Sequence, residues 1–486
     1  MSIQATTNDA APGAEPSAAG RRFGVALMVI ASAQLMLTLD TTIVNVALPS
    51  IERSLHLALS HLSWVASFYA LSFGGLLLAG ARAGDLYGRL RLFRVGLVVF
   101  AVASMAGGLA PNGTVLLTAR LVQGIGAAMA APGALSLLST TFPPGPARTR
   151  ALGVYGSMAG AGSVVGLLLG GALTEYVSWR WVMFINVPIA VVVLLGSRVL
   201  VPGERERGCL DLVGAASATL GVGSIVYGLT SGNTSGWGDA ATLGCLVAGA
   251  VLLTAFVVRE CTYREPLVPT RVLRDRSRAG AYTVMLLLGA GMQAMFYLLT
   301  LYMQIVRGYS PLHAGLNYLP FVVGIGISSG GLGPRLLAKL PALIVIGAGL
   351  ILFAGGVAWC ASQLAPTSAY AVAILPTLLA GGLGTGLVYV GSTAVGMHGV
   401  APHESGIAAG LLNTGIQVGA ALGLSALASV ASTVTRSHLS GHAVAGALTG
   451  GYVAGLVAAV AIFALGAVVA LATIRARITP DEVTRR

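Results

Sequence analysis

Apolar runs of about twenty residues, broken by short polar stretches rich in Arg, Gly and Pro, recur along nearly the whole chain. A helix needs roughly 20 apolar residues to cross the hydrocarbon core of a bilayer. Measured against that length, the sequence predicts fourteen membrane-spanning helices, at 23–46, 62–81, 92–110, 114–136, 151–173, 181–201, 211–230, 241–258, 280–303, 315–334, 341–360, 370–396, 404–434 and 448–473. With an even number of spans, both ends of the chain are expected on one side of the membrane. The pattern therefore predicts an all-α membrane protein whose solvent is the lipid bilayer.

The spans also repeat. Gly162, Gly166 and Gly170 stand at i, i+4 and i+8 in the fifth span, with Gly171 directly after, and Gly415, Gly419 and Gly423 repeat the ladder in the thirteenth. Such ladders let two helix backbones approach closely. They correspond if spans 1–6 and 9–14 are repeats, with spans 7 and 8 inserted between them. The stretch GARAGDLYGRLR (80–91), read as the loop after span 2, has a degenerate echo after span 10 in GGLGPRLLAK (330–339). The expected organisation is a tail at 1–20, an N-terminal six-helix half at 21–201, two inserted helices with a linker at 202–279, a C-terminal six-helix half at 280–474 and a tail at 475–486. Two six-helix halves around a midplane cavity is the plan of a secondary transporter.

Composition removes other classes. Of 486 residues, 56% are hydrophobic and 9% charged, against roughly 25% charged in a soluble domain, so the charges cannot cover a water-exposed surface. The net charge of +12 does not point to nucleic acid, because the arginines punctuate apolar runs instead of forming one basic face. Their distribution orients the chain. With the N-terminus in the cytoplasm, Arg53, Arg180, Arg307 and Arg436 fall outside, Arg120 falls within a span, and the other 23 of the 28 basic residues fall inside, as the positive-inside bias requires.

Residues 1–20 are rich in Ala, Ser, Pro and Asn and have no apolar core, so they read as a disordered cytoplasmic tail and not as a signal peptide. Cys209, Cys245, Cys261 and Cys360 form no CxxC pair and lie far from any His cluster, which argues against a disulfide framework or a zinc site. Neither a G-x-x-x-x-G-K-[ST] loop nor an HExxH motif occurs. The expectation is a non-enzymatic carrier, without metal or cofactor, driven by an ion gradient.

Charge avoids the spans with two exceptions, and an ionisable residue inside a membrane is a functional candidate by default. Asp40 lies in LTLDTTIV, between apolar neighbours. Such a carboxylate can take up a proton from one side and release it to the other, or it can simply hydrogen-bond Thr41, Thr42 or a neighbouring helix. Arg120 cannot realistically deprotonate, so it either sets the charge around Asp40 or snorkels to an interface. Softer candidates for a substrate cavity are the polar and amphipathic residues Gln34, Asn45, Gln123, Tyr155, Asn186, Gln293, Tyr297, Asn413 and Gln417. A helix-packing hydrogen bond is the favoured reading of each of them. Asp211 and Glu404 lie where a span meets the cytoplasm, and Glu175 reads as a solvated residue at an external helix end.

In this order and at these spans, the motifs resemble the major facilitator superfamily, in its fourteen-span drug/proton antiporter branch (EmrB/QacA type). They are LDTTIVNVALP (39–49) in span 1; Gly80, Asp85, Gly88, Arg89 and Arg91 after span 2; Arg120, Gln123, Gly124 and Gly126 in span 4; and WRWVMFINVP (179–188) at the entry to span 6. Two positions depart from the pattern: Leu167 follows Gly166 where the family usually has Pro, and Ile416 stands where the span-13 motif often has Arg. The resemblance implies the major facilitator fold, with Gly162, Gly166, Gly170 and Gly171 as its antiporter helix-packing motif. It implies that Arg120 biases the protonation of Asp40. It also implies a cytoplasmic gate, in which Asp85 accepts from backbone N–H groups at a helix N-terminus or from basic residues; a solvated, topology-determining loop is the plainer alternative.

For the whole chain, the resemblance implies proton-coupled export of small amphiphilic compounds such as antibiotics across a bacterial cytoplasmic membrane, by a protein working as a monomer. A single intramembrane carboxylate favours neutral or monovalent substrates, and 27 Arg against one Lys fits a GC-rich genome. Uptake by symport and export of a lipid-like substrate are the competing readings. A receptor is disfavoured by loops too short to hold a signalling domain.

Overall fold

The computed structural model describes residues 18–474 except 58, 143–145, 203–209, 235, 264–265, 269, 401–404 and 440–443. Residues 1–17 and 475–486 of the expected tails, together with Cys209 and Glu404, lie outside the described residues; 18–20 are already helical. Fourteen helices long and apolar enough to span a membrane are present among the described residues. In chain order they are span 1 (Phe23–Leu55), span 2 (Leu62–Tyr87), span 3 (Arg89–Gly108), span 4 (Gly113–Leu138), span 5 (Gly153–Tyr176), span 6 (Trp181–Val199), span 7 (Leu212–Gly232), span 8 (Ala240–Thr262), span 9 (Arg276–Val306), span 10 (Pro311–Leu337), span 11 (Ala342–Gln363), span 12 (Tyr370–Met397), span 13 (Gly406–His438) and span 14 (Val444–Thr473). Below, the two ends of the bundle are called the Asp85 face and the Glu175 face.

Three boundaries differ from expectation for local reasons. Span 1 does not stop at 46: Pro49 lies inside the helix, which runs on to Leu55. A proline removes one backbone donor, and here the helix continues past it. The expected loop 80–91 is almost entirely helical, since Gly80–Tyr87 are the last two turns of the span-2 helix and Arg89 opens span 3. What remains of the loop is one residue, Gly88, at φ 101°, a left-handed backbone that favours glycine. Span 10 is broken, into Pro311–Asn317, Leu319–Ile327, a π-helical turn at Ser328–Leu332 and Gly333–Leu337.

The glycine ladders pack the two halves in the same way. A Cβ at Gly162, Gly166 or Gly170 would sit 2.9, 2.9 and 2.8 Å from the carbonyl oxygens of Leu35, Leu39 and Ile43, so span 5 rides directly on the span-1 backbone. Span 5 is a continuous helix through Leu167, without the kink a proline would bring. In the other half, Gly415 and Gly419 lie against the carbonyls of Tyr282 and Leu286, and Gly423 against Ala290, all in span 9. Spans 3 and 4 meet at Gly96 and Gly126 as spans 11 and 12 meet at Gly349 and Gly384, each with a Cβ-to-carbonyl approach of 2.7 Å. Carried through these equivalences, Leu287 takes the place of Asp40 and Leu378 that of Arg120.

Span 7 lies across the seam between the halves, with Thr219 over Gly75 of span 2 and the Leu229 carbonyl accepting from Ser429 Oγ of span 13 at 3.1 Å. Span 8 packs on span 7 through Gly249 and the Gly221 carbonyl.

The halves meet closely at the Glu175 face, where Gly171 of span 5 abuts Pro311 and Leu312 of span 10 and Gly315 abuts the Leu167 carbonyl. Toward the Asp85 face the same helices diverge. A Cβ added at Gly153 or Gly160 of span 5, or at Gly326 or Gly330 of span 10, would meet nothing within 4 Å.

These contacts predict opposite responses to added bulk. Gly166→Leu and Gly419→Leu should each cost about 1–3 kcal/mol by overpacking a backbone contact. Gly160→Ala should be neutral or stabilising by up to about 1 kcal/mol from helix propensity. Thermal unfolding in detergent reads the difference, and equal melting temperatures for all three would contradict the packing.

Candidate functional site: a sealed ion pair in the N-terminal half

Asp40 is 0% exposed and Arg120 1% exposed, and they form one ion pair, Arg120 Nη1 to Asp40 Oδ2 at 2.7 Å. Burying an ion pair is tolerable when the remaining hydrogen-bonding positions are filled, and most of them are. Asp40 Oδ1 accepts from Gln123 Nε2 and from Asn186 Nδ2, both at 2.8 Å. Arg120 Nη1 also donates to Gln123 Oε1 at 2.8 Å, and its Nε donates to the Val65 carbonyl at 3.0 Å. Its guanidinium carbon lies 4.4 Å from the centre of the Tyr69 ring, and Gln123 Nε2 donates to Ser104 Oγ at 2.7 Å. Two buried oxygens of the cluster, Asn186 Oδ1 and Tyr69 Oη, have no partner.

Five spans therefore converge on one carboxylate, and small residues bring them there. Gly124, next to Gln123, lets span 4 approach span 2, with a Cβ there only 2.6 Å from the Tyr69 carbonyl; the Arg120 side chain then reaches Val65. Gly126 does the same toward Phe100 of span 3, which brings Gln123 to Ser104. Asn186 opens the main helix of span 6, Asn186–Gly196, after the short turn Trp181–Phe184 whose Phe184 ring occupies the notch at Gly108. The span-5 ladder holds span 1 from the other side. Thr41 and Thr42 bond back to carbonyls of their own helix and not to Asp40, and Arg120 does not snorkel.

The remaining candidates separate. Gln123 and Asn186 belong to the ion-pair cluster and not to a cavity wall, which corrects the placing of Gln123. Tyr297, at 3% exposure, is packed in an apolar core to which both halves contribute, a second correction. Gln34 donates to Thr38 Oγ1 at 3.3 Å within its own helix, and exposed Asn413 likewise donates to the Ala409 carbonyl at 3.3 Å. Asn45 and Gln293 meet across the halves at 3.2 Å, Gln417 lies against Gly74 of span 2, and Tyr155 is half-buried in span 5.

Asp85 Oδ1 accepts from Arg89 Nε at 2.8 Å across the Gly88 turn, with both side chains about a quarter exposed (26% and 28%). Its partner is thus a basic residue of the same half. Gly80 packs span 2 onto the Ala128 carbonyl of span 4, and Arg91 is exposed.

The Major Facilitator Superfamily model matches residues 30–424, from the first part of span 1 through the glycine ladder of span 13. The chain belongs to that superfamily. Among curated relatives, it is 41% identical to the puromycin resistance protein pur8 of Streptomyces alboniger, over 86% of this chain and 83% of that one. It is 40% identical to the cephamycin export protein CmcT of Amycolatopsis lactamdurans, over 84% and 85%. Among solved structures, a bacterial homologue of the human lysosomal transporter Spinster superposes with a TM-score of 0.68 at 16% identity, covering 95% of this chain and 98% of that one. The POT family transporter PepTSo superposes at 0.67 with 17% identity, over 93% and 98%. These two carry the facilitator fold and nothing finer.

Within the facilitator frame, sequence reading singled out Asp40 and Arg120 and ranked Gln123 and Asn186 among the softer candidates. It missed Ser104, Tyr69 and the Val65 carbonyl. The signal available was Asn186 inside WRWVMFINVP, a motif that already stood out.

The cluster predicts strong non-additivity. Asp40→Asn should cost about 3–5 kcal/mol, because it strands the Arg120 charge in a buried site. Asp40→Asn combined with Arg120→Gln should recover much of that loss. Additive destabilisation in thermal unfolding would show that the two side chains are independent.

Proposed function

We propose that this chain exports amphiphilic organic molecules of the antibiotic class from a bacterial cytoplasm in exchange for protons, as a monomer with both termini inside. The sealed Asp40–Arg120 pair carries the reading: it is a buried, reversibly neutralisable charge that ties together the helices of one rocking half. The export and resistance proteins named for puromycin and cephamycin, at about two-fifths identity over most of their length, support the substrate class. The basic-residue bias supports an orientation with the Asp85 face inside.

Asp40 is the proton carrier and Arg120 its fixed counter-charge. When Asp40 is ionised, it draws Arg120, Gln123 and Asn186 inward and locks span 1 to spans 4 and 6. A proton on Asp40 removes the charge–charge attraction, turns Arg120 toward the Val65 and Gln123 oxygens and frees span 1 to shift. Substrate and proton therefore act through helix position and not by competing for one carboxylate. In the cycle, Asp40 takes a proton from outside, the inward-facing state binds substrate and releases the proton inward, and rocking of the halves exposes the substrate outside. Asp85 and Arg89, straddling the Gly88 turn, hold the inner end of the N-terminal half.

Everted vesicles with a pH-sensitive dye, challenged with puromycin and a cephamycin, test the proposal. Substrate should release protons from energised vesicles carrying the parent protein. Asp40→Asn should reduce that signal to background while inserting normally, and Arg120→Ala should move the pH dependence of transport. Coupled movement in the opposite direction would favour the uptake reading, and normal efflux by Asp40→Asn would remove Asp40 from the coupling step.

A further inference from the structure

Among the described residues, three polar contacts join the halves on the Glu175 side, and no role assigned so far uses two of their side chains. Gln304 Nε2 of span 9 donates to the Val46 carbonyl of span 1 at 2.8 Å. Gln293 Nε2 of span 9 donates to Asn45 Oδ1 of span 1 at 3.2 Å. Glu175 Oε2, at the end of span 5, accepts from the Leu312 amide in the first turn of span 10 at 3.0 Å. Gln304 reaches across because it sits in a π-helical turn, Tyr302–Val306, a distortion that occurs frequently at functional positions. Its Oε1 is buried without a partner. A buried carbonyl left unsatisfied is costly, so this closed arrangement holds Gln304 by one end only and is easily released.

We infer that Gln304 and Glu175 are the outer latch of the transporter, and that span 1 works it. This rests on the alternating-access reading above. Asn45 and Val46 follow Asp40 on the same helix by five and six residues, about 8–9 Å along its axis at a rise of 1.5 Å per residue. A shift of span 1 that follows loss of the Asp40–Arg120 attraction thus displaces two of the three cross-half contacts at once. The third, Glu175 on Leu312, lies beside the Gly171 contact and closes the seam between spans 5 and 10. The latch is made of one carboxylate and neutral amides, so it holds by direction and fit and not by an ion pair.

The test reads the outer gate directly. Spin labels at Val177→Cys and Thr367→Cys, both exposed on the Glu175 face but in different halves, go into a cysteine-free parent in lipid nanodiscs without substrate. Gln304→Met keeps the shape and removes the donor; Glu175→Leu removes the acceptor; Glu175→Gln keeps one. Each of the first two should raise the long-distance, outward-open population about three- to tenfold, as the loss of one hydrogen bond predicts. Together they should raise it further, while Glu175→Gln stays near the parent. An unchanged distance distribution in both single variants and the double overturns the latch. Because no substrate is present, that result leaves the export reading standing, whereas a parent that fails to couple protons in vesicles yet shows these shifts overturns the export reading alone.

Discussion

A carboxylate and a guanidinium 2.7 Å apart, shut off from water, constrain the build of the whole N-terminal half. Either charge left unpaired there costs several kcal/mol, so in the paired state spans 1 and 4 meet at one height, and spans 2, 3 and 6 supply the Val65 carbonyl, Ser104 and Asn186 at the same height. The small residues follow from that requirement. Gly124 and Gly126 lower span 4 onto its neighbours, and the Gly162–Gly166–Gly170 ladder closes span 5 behind Asp40. Cluster and packing are one structure seen from two sides.

Much of this frame was legible in the sequence, because a bilayer imposes length and hydropathy on every crossing helix. The number of spans, the duplicated ladders and the two charges inside spans all follow from that constraint. The segment 80–91 was misread for a related reason. Charges end a hydropathy window, but they do not end a helix, and Asp85 and Arg89 lie on continuous helices hinged at Gly88. Partners distant in the chain were harder. Asn186 lies 146 residues from Asp40 and Ser104 lies 19 from Gln123, and no helical periodicity reports such meetings. Glu175 is exposed as expected, but no local pattern signals that span 10 begins beside it and offers the Leu312 amide.

The two halves share backbone geometry but not chemistry. Ladder for ladder, span 13 sits on span 9 as span 5 sits on span 1, yet Leu287 and Leu378 occupy the positions of Asp40 and Arg120. The C-terminal half is thereby apolar at the two positions that carry charge in the N-terminal half, and two of its amide side chains, Gln293 and Gln304, lie at the seam. Span 7 bridges spans 2 and 13 from outside, so the inserted pair touches both halves through that one helix.

The one-sided placement of ionisable groups also has an electrical meaning. With Asp40 ionised, the pair is neutral, and a change of its position in the membrane moves no net charge. Once Asp40 is protonated, the uncompensated Arg120 makes the N-terminal half carry one positive charge at that depth, while the Leu287/Leu378 side carries none. A full crossing of the field by one charge is worth about 2.3 kcal/mol per 100 mV, so in the proposed cycle a membrane potential, negative inside, would act on this pair in its protonated form and not in its ionised one. Voltage and proton gradient would then drive the same step, through one arginine that never loses its proton.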